Sequence, residues 1–253
     1  MKKILIISKS FWNIYNFRKE LLKELKNDFR IIAYAKNDNY KINLEKMNIK
    51  TFSANLHNRK FSPLSDLHYL FKLIYIIRLE RPDLVLNFNL KPIIYGNILS
   101  NIFNIKTISN ITGIGSSFLG NIFTKLLVKT LYKISFKKEN HIFFQNKEDH
   151  NFFLKNKIVS KKHSNYDILP GSGVNLLVNK YCEISKRSNI NFTLISRLIK
   201  DKGVSEFIAV AQIIKKKYNH IYFTIIGDIE DSNESKKLLK KIKKLSSENI
   251  LNY

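Results

Sequence analysis

The stretch Asn191–Ile214, NFTLISRLIKDKGVSEFIAVAQII, decides how this chain folds. Phe192–Ile195 is an apolar run, Ser196–Gly203 is a polar loop, and Val204–Ile214 is amphipathic at helical spacing. The order is strand, loop, helix. Arg197 and Lys202 then stand at the C-terminal end of a strand, beside a helix N-terminus. Backbone N–H groups and the positive helix end attract an anion there, and two side chains add full charge. Such a place suits a diphosphate. Taken alone, the motif also fits a solvated basic loop in a lysine-rich chain.

Working outward, the same alternation covers most of the 253 residues. Towards the N-terminus, Lys3–Ile7 is apolar without alternation, as a strand buried on both faces is. Phe17–Leu25 has helical period. Arg30–Ala35 and Ile49–Phe52 follow as strands. Ser62-Pro63 opens a helix that runs to Glu80 and stops before Pro82. Leu84–Phe88, Lys106–Asn110 and His141–Phe144 are strands, separated by helices at 93–103 and 121–136. A helix at 147–155 and a short strand, Ile168–Leu169, close the series before Pro170-Gly171-Ser172-Gly173. The reading is an α/β protein with doubly wound parallel sheets. Residues 1–174 form a first Rossmann-like domain, 175–189 a linker, and 190–253 a partial second domain. In the second, helices at 204–218 and 234–245 flank a strand at 221–226, and 250–253 begins a further element. Open sheets usually hold four or five strands, so the second sheet reads as incomplete and the chain as C-terminally truncated.

Bulk chemistry narrows the function classes. Lys and Arg number 44 against 20 Asp and Glu, a net charge of +24, so anionic partners are expected: phosphorylated substrates, anionic lipid or nucleic acid. The single cysteine, Cys182, excludes a disulfide framework and a cysteine metal cage. Met1-Lys2-Lys3 precedes only four apolar residues, too few for a signal peptide. No run approaches the roughly 20 apolar residues of a membrane span. A Gly-x-Ser-x-Gly elbow, a Walker A loop, a GxGxxG after the first strand and metal-type histidine spacing are all missing.

Two further clusters fall past strand ends, where open α/β sheets bind ligands. Asn89-Leu90-Lys91-Pro92 follows one strand and Thr112-Gly113-Ile114-Gly115 the next. Glycines there let backbone approach a substrate closely; an ordinary turn and a surface lysine are the plainer alternatives. Lys125, Lys129, Lys133 and Lys137 align at i, i+4 on the following helix. That stripe is a solvated face or a face drawn to anionic lipid headgroups.

Taken in order, four segments resemble the family 4 glycosyltransferases. They are Asn89-Leu90-Lys91-Pro92-Ile93-Ile94-Tyr95-Gly96, Asn110-Ile111-Thr112-Gly113-Ile114-Gly115-Ser116-Ser117-Phe118, Leu169-Pro170-Gly171-Ser172-Gly173-Val174-Asn175, and Arg197 with Lys202-Gly203. The resemblance spans nearly the whole chain, and points to the branch that builds bacterial surface polysaccharides and lipid-linked oligosaccharides. It implies a GT-B fold, with two Rossmann-like domains, and retaining transfer of a hexosyl or N-acetylhexosaminyl group from a nucleotide sugar, UDP-linked. No cofactor or metal is implied. Arg197 and Lys202 would neutralise the leaving diphosphate, with Gly203 and Gly173 also on the donor. Asn89, Lys91, Thr112, Gly113 and Gly115 would hold a lipid-linked saccharide acceptor. The expected location is cytoplasmic, peripheral on the inner membrane face.

The chain departs from the family pattern in three places. The turn after the first strand, Ser8 to Phe11, lacks a glycine pair. Thr112 stands where some members carry histidine, and a hydroxyl is no imidazole base. The family's Glu-x7-Glu segment would fall beyond Tyr253, so transfer by this chain is expected to be impaired. Two other readings stay open: a non-catalytic remnant or partner subunit that binds lipid diphosphate or a complementary chain, and a basic nucleic-acid binder. The second lacks any recognised nucleic-acid motif.

Overall fold

The computed structural model describes residues 1–55, 62–114, 122–138, 140–159, 164–183, 189–229 and 232–253. The chain divides into two compact units, Met1–Lys180 and Tyr181–Tyr253. The division falls inside the stretch read as linker. Asn175 belongs with the first unit, where its side-chain amide donates to Glu20 Oε2 at 3.1 Å.

Seven parallel strands build the first unit: β1 (Lys2–Ile7), β2 (Phe29–Lys36), β3 (Lys50–Ala54), β4 (Leu84–Phe88), β5 (Lys106–Ile111), β6 (Asn140–Phe144) and β7 (Ser164–Ile168). Their order across the sheet is β3-β2-β1-β4-β5-β6-β7. The chain therefore winds outward from β1 in both directions. Right-handed crossovers put helices α1 (Phe11–Asp28) and α2 (Lys41–Lys46) on one face. Helices α3 (Pro63–Glu80), α4 (Leu90–Ile102), α5 (Ile122–Ser135) and α6 (Lys147–Lys155) cover the other. Two apolar cores follow from this layering. One gathers Leu5, Ile7, Tyr69, Leu73, Ile94, Val128, Phe144 and Phe153 under α3 to α6. The other packs Ile4, Ile6, Phe11, Ile14, Leu22, Leu86 and Phe88 under α1 and α2.

Local chemistry explains where the elements differ from the sequence reading. The first helix starts six residues before Phe17 because Ser10 caps it, accepting the Asn13 N–H at 3.1 Å. Helix α4 starts at Leu90 rather than 93, since a proline is tolerated in the first turn. The strand read at Ile168–Leu169 is the longer β7. As an outer strand it pairs with β6 alone and carries Asn165, Tyr166 and Asp167, which hid it from an apolar search. The six-residue helix α2 buries only Leu44 and carries no periodic signal.

In the second unit β8 (Ile190–Ile195) and β9 (Ile221–Ile226) pair in parallel. Helices α7 (Val204–Lys215) and α8 (Asn233–Ser247) accompany them. Val204, Ile208, Phe223, Ile225, Ile242 and Leu245 form their core. Asn252 adds a parallel bridge to Thr224, where a third strand position begins.

Candidate functional site

Because the strands are parallel, their C-terminal ends line one rim of the sheet. The winding reverses at β1, so a crevice opens past the ends of β1 and β4. Serines replace glycines there. Ser8 is fully buried, its hydroxyl 2.8 Å from Asn13 Oδ1 and 2.9 Å from Asn89 Oδ1. The Lys9 N–H also donates to Asn89 Oδ1, at 3.2 Å. Asn89 thus ties the turn after β1 to the end of β4. Its backbone lies at φ 74°, ψ 158°, a region almost reserved for glycine. Holding asparagine there costs on the order of 1–3 kcal/mol, and strain of this kind gathers at binding sites.

Lys91 is neither a surface charge nor open to solvent. It is buried, and its Nζ lies 2.7 Å from Asp66 Oδ1 in the first turn of α3. Asp66 also accepts the Ser62 N–H at 3.2 Å and a hydrogen bond from Tyr95. Burial raises the Tyr95 hydroxyl well above its usual range, and the Asp66 charge adds to the effect. Gly96 has a packing reason. A Cβ there would sit 2.0 Å from Asn87 Oδ1, so any larger residue would displace the buried Asn87 side chain. Asn87 donates in turn to Asn97 Oδ1 at 2.8 Å, and Ser109 donates to the same oxygen at 3.1 Å.

Past β5, Thr112 and Gly113 are exposed on the same rim, and Gly113 has φ 142°. Gly115 lies outside the described residues. Asn110, just before them, is buried and its Oδ1 has no hydrogen-bond partner among the described residues. Asn110 also lines a cavity of about 840 Å³ within the first unit. Arg18, Phe88, Ile108, Phe143 and Gly173 form other parts of its wall. The Arg18 guanidinium stands 4.5 Å over the Phe88 ring, and burial lowers its pKa. Gly173, expected on the donor, has φ 71° and is exposed at this wall.

The second unit presents the cationic loop as expected from its sequence. Leu198, fully buried, pins its middle by donating its N–H to Asp228 O at 3.0 Å. Arg197 and Lys202 are exposed on either side of this anchor. Lys202 ends a short 3-10 turn, and Gly203 caps α7 at φ 70° with no side-chain hydrogen bond to the first turn. One residue of this site escaped the sequence reading. A Cβ on Gly227 would lie 1.8 Å from the Ser196 carbonyl oxygen, so the loops after β8 and β9 touch only because it is glycine. A lone glycine after an apolar run was its only signal.

On α5, Lys125 and Lys133 are exposed, while Lys129 is half-buried and donates to Asn156 Oδ1 at 3.1 Å. Lys137 is exposed in the turn after the helix. Among the described residues no cluster of three or more His, Cys, Asp or Glu side chains could hold a metal ion. No helix among them is long and apolar enough to cross a membrane.

A doubly wound parallel sheet with its polar cluster at the winding reversal, followed by a β-α unit with a cationic loop at a helix N-terminus, defines an α/β protein of the GT-B glycosyltransferase type. Solved structures agree on the fold. An Anabaena protein, Alr3699/HepE in complex with UDP and glucose, superimposes with a TM-score of 0.69 at 16% identity, covering 100% of this chain and 68% of that one. The S. aureus MnaA–UDP structure gives a TM-score of 0.64 at 13% identity, over the same shares. Residues 3–146 match the family described as glycosyl transferase 4-like, and the chain belongs to that family. A Campylobacter jejuni relative, N,N'-diacetylbacillosaminyl-diphospho-undecaprenol alpha-1,3-N-acetylgalactosaminyltransferase, is 24% identical over 241 residues. That match takes in 88% of this chain and 62% of the relative, so the chain spans less than two thirds of that relative's length.

Proposed function

We propose that this protein transfers a hexosyl or N-acetylhexosaminyl group from a UDP-sugar to a lipid-linked saccharide, with retention at the anomeric carbon. The carrying observation is the loop that sets exposed Arg197 and Lys202 beside the uncapped N-terminus of α7. In the reaction the C1–O bond to the diphosphate breaks. A C1–O bond to the acceptor oxygen forms, and the acceptor proton is released. Negative charge grows on the departing diphosphate, and the two cations with the α7 N–H groups neutralise it. Donor binding of this kind asks for no metal. The acceptor saccharide lies against the rim of the first unit, at Asn89, Thr112 and Gly113, with Lys91 and Asp66 holding that rim in shape. Nucleic acid is not a partner in this reading. The Campylobacter relative, named for a diphospho-undecaprenol acceptor, supports a lipid-linked acceptor and hence work at the cytoplasmic membrane face. Surface-polysaccharide assembly is the process it would serve.

The test is Arg197→Ala, assayed by transfer of radiolabelled sugar to lipid-linked acceptor. Loss of one charge-stabilising donor should slow turnover about a hundredfold. Unchanged turnover removes the diphosphate role. UDP binding by calorimetry should weaken in the same variant.

A further inference from the structure

The outer side of α3 is apolar where a surface helix is normally polar. Leu64, Leu67, Phe71, Tyr75 and Leu79 repeat every three or four residues along it, each 50% to 84% exposed. Its opposite side is buried through Tyr69, Leu73, Ile76 and Ile77. A helix apolar all round needs a second apolar neighbour. None of the described residues supplies one. The charges that accompany the stripe are cationic: Arg78 is exposed and Lys72 half-exposed. Both carboxylates of the helix are turned inward, Asp66 to Lys91 and Glu80 to Lys50.

Helix α5 repeats the arrangement on the same face of the sheet. Ile122, Phe123 and Leu126 are 63% to 80% exposed. Lys125 and Lys133 stand beside them, and the helix holds no acidic residue. The buried helix α4 lies between the two and contacts both. At the usual 8–10 Å between packed helices, the two stripes run about 20 Å apart. Each helix starts at the site end of the strands, so Leu64, Ile122 and Phe123 lie towards the rim that carries Asn89 and Thr112.

We propose that the outer faces of α3 and α5 together form a docking surface for an anionic bilayer, with the α3 stripe inserted among the acyl chains. Charge decides the occupant. A second copy would set cation against cation in a chain of net charge +24, and like charges facing each other are costly. An anionic lipid surface complements both the apolar stripes and the lysines around them. The inference deepens the proposed function, because it rests on an acceptor that is lipid-linked.

Vesicle sedimentation tests it with the chain as it stands. Phosphatidylcholine vesicles with 30% phosphatidylglycerol should carry the protein down, and pure phosphatidylcholine vesicles should not. Leu67→Ser with Phe71→Ser should weaken binding at least tenfold, with an unchanged melting curve. Lys125→Gln with Lys133→Gln should flatten the salt dependence. As a second reading, Trp12→Phe with Phe71→Trp moves the only tryptophan onto the stripe, and its emission should shift to the blue on anionic vesicles. Docking is overturned if the wild type stays in solution, if the Leu67/Phe71 variant binds as tightly as wild type, or if the new tryptophan shows no shift. It is also overturned if that variant turns a lipid-free dimer into a monomer, which would assign the stripe to a second copy. UDP binding measured on the same preparation separates the two ideas: UDP bound without vesicles bound removes the docking surface and leaves the transferase reading intact.

Discussion

Lys91→Met should cost the first unit about 4 kcal/mol. Lys91 and Asp66 are both buried, with 2.7 Å between Nζ and Oδ1. Removing the ammonium leaves the carboxylate, among the described residues, with the Ser62 N–H and the Tyr95 hydroxyl. Breaking one side of a buried pair typically costs about 3–5 kcal/mol, because the remaining charge stays desolvated. Methionine keeps most of the lysine stem's packing, so little of the loss comes from a cavity. With a urea slope of about 2 kcal/mol/M, a 4 kcal/mol loss lowers the midpoint by roughly 2 M. Trp12, in α1 of the same unit and the only tryptophan of the chain, reports that transition. Asp66→Leu added to Lys91→Met should recover most of the loss, since an apolar pair removes both charges. A single variant that unfolds at the wild-type midpoint refutes the buried-pair argument. It would also return Lys91 to the acceptor, and transfer assays on the stable double variant then tell the roles apart.

Two further outcomes follow from packing and burial. Gly227→Ala brings a Cβ within 1.8 Å of the Ser196 carbonyl oxygen, so the loops after β8 and β9 must separate. Strain of this sort costs about 1–3 kcal/mol, and hydrogen exchange at the Ser196 amide, which donates to Ile226 O at 3.0 Å, should speed up; wild-type exchange refutes the contact. At alkaline pH, burial holds the Tyr69 and Tyr132 hydroxyls well above their ordinary value. Unfolded tyrosines ionise near pH ~10 while these stay protonated. The unfolded state then binds fewer protons, and stability falls as pH rises past that point, by about 1.4 kcal/mol per pH unit for each residue. Urea midpoints between pH 8 and 11 should show the decline, and Tyr132→Phe should make it shallower; an identical slope in that variant assigns the loss elsewhere.

Most strands of the first sheet were legible in sequence because burial on both faces writes an apolar run, as in Lys2–Ile7 and Leu84–Phe88. The elements that were missed or shortened bury little. Helix α2 buries one side chain, and β7 is an outer strand with polar residues. The cap at Ser10 was readable in principle, and the buried face of the helix starts right after it, at Phe11 and Ile14. Gly227 illustrates a different limit. A glycine's close approach depends on a backbone oxygen 31 positions away in the chain, and no local pattern records it.

The candidate site was legible in its position and less so in its division of labour. Within Asn89–Gly96, the residues that carry the family resemblance serve mostly the architecture. Lys91 neutralises a buried carboxylate on α3, and Gly96 lets α4 rest on Asn87. Asn89, itself strained at φ 74°, holds the turn after β1 through the Lys9 N–H. Among the described residues past β4 and β5, Thr112 and Gly113 are exposed and Asn89 is half-buried. Sequence segments of this type mark a site because the scaffold around it must be exact in shape, and a buried ion pair with a glycine contact supplies that rigidity. Specificity for the acceptor then falls to the few exposed groups. Substitutions at Thr112 should therefore alter acceptor choice with little effect on stability, whereas those at Lys91 or Gly96 should act on stability first.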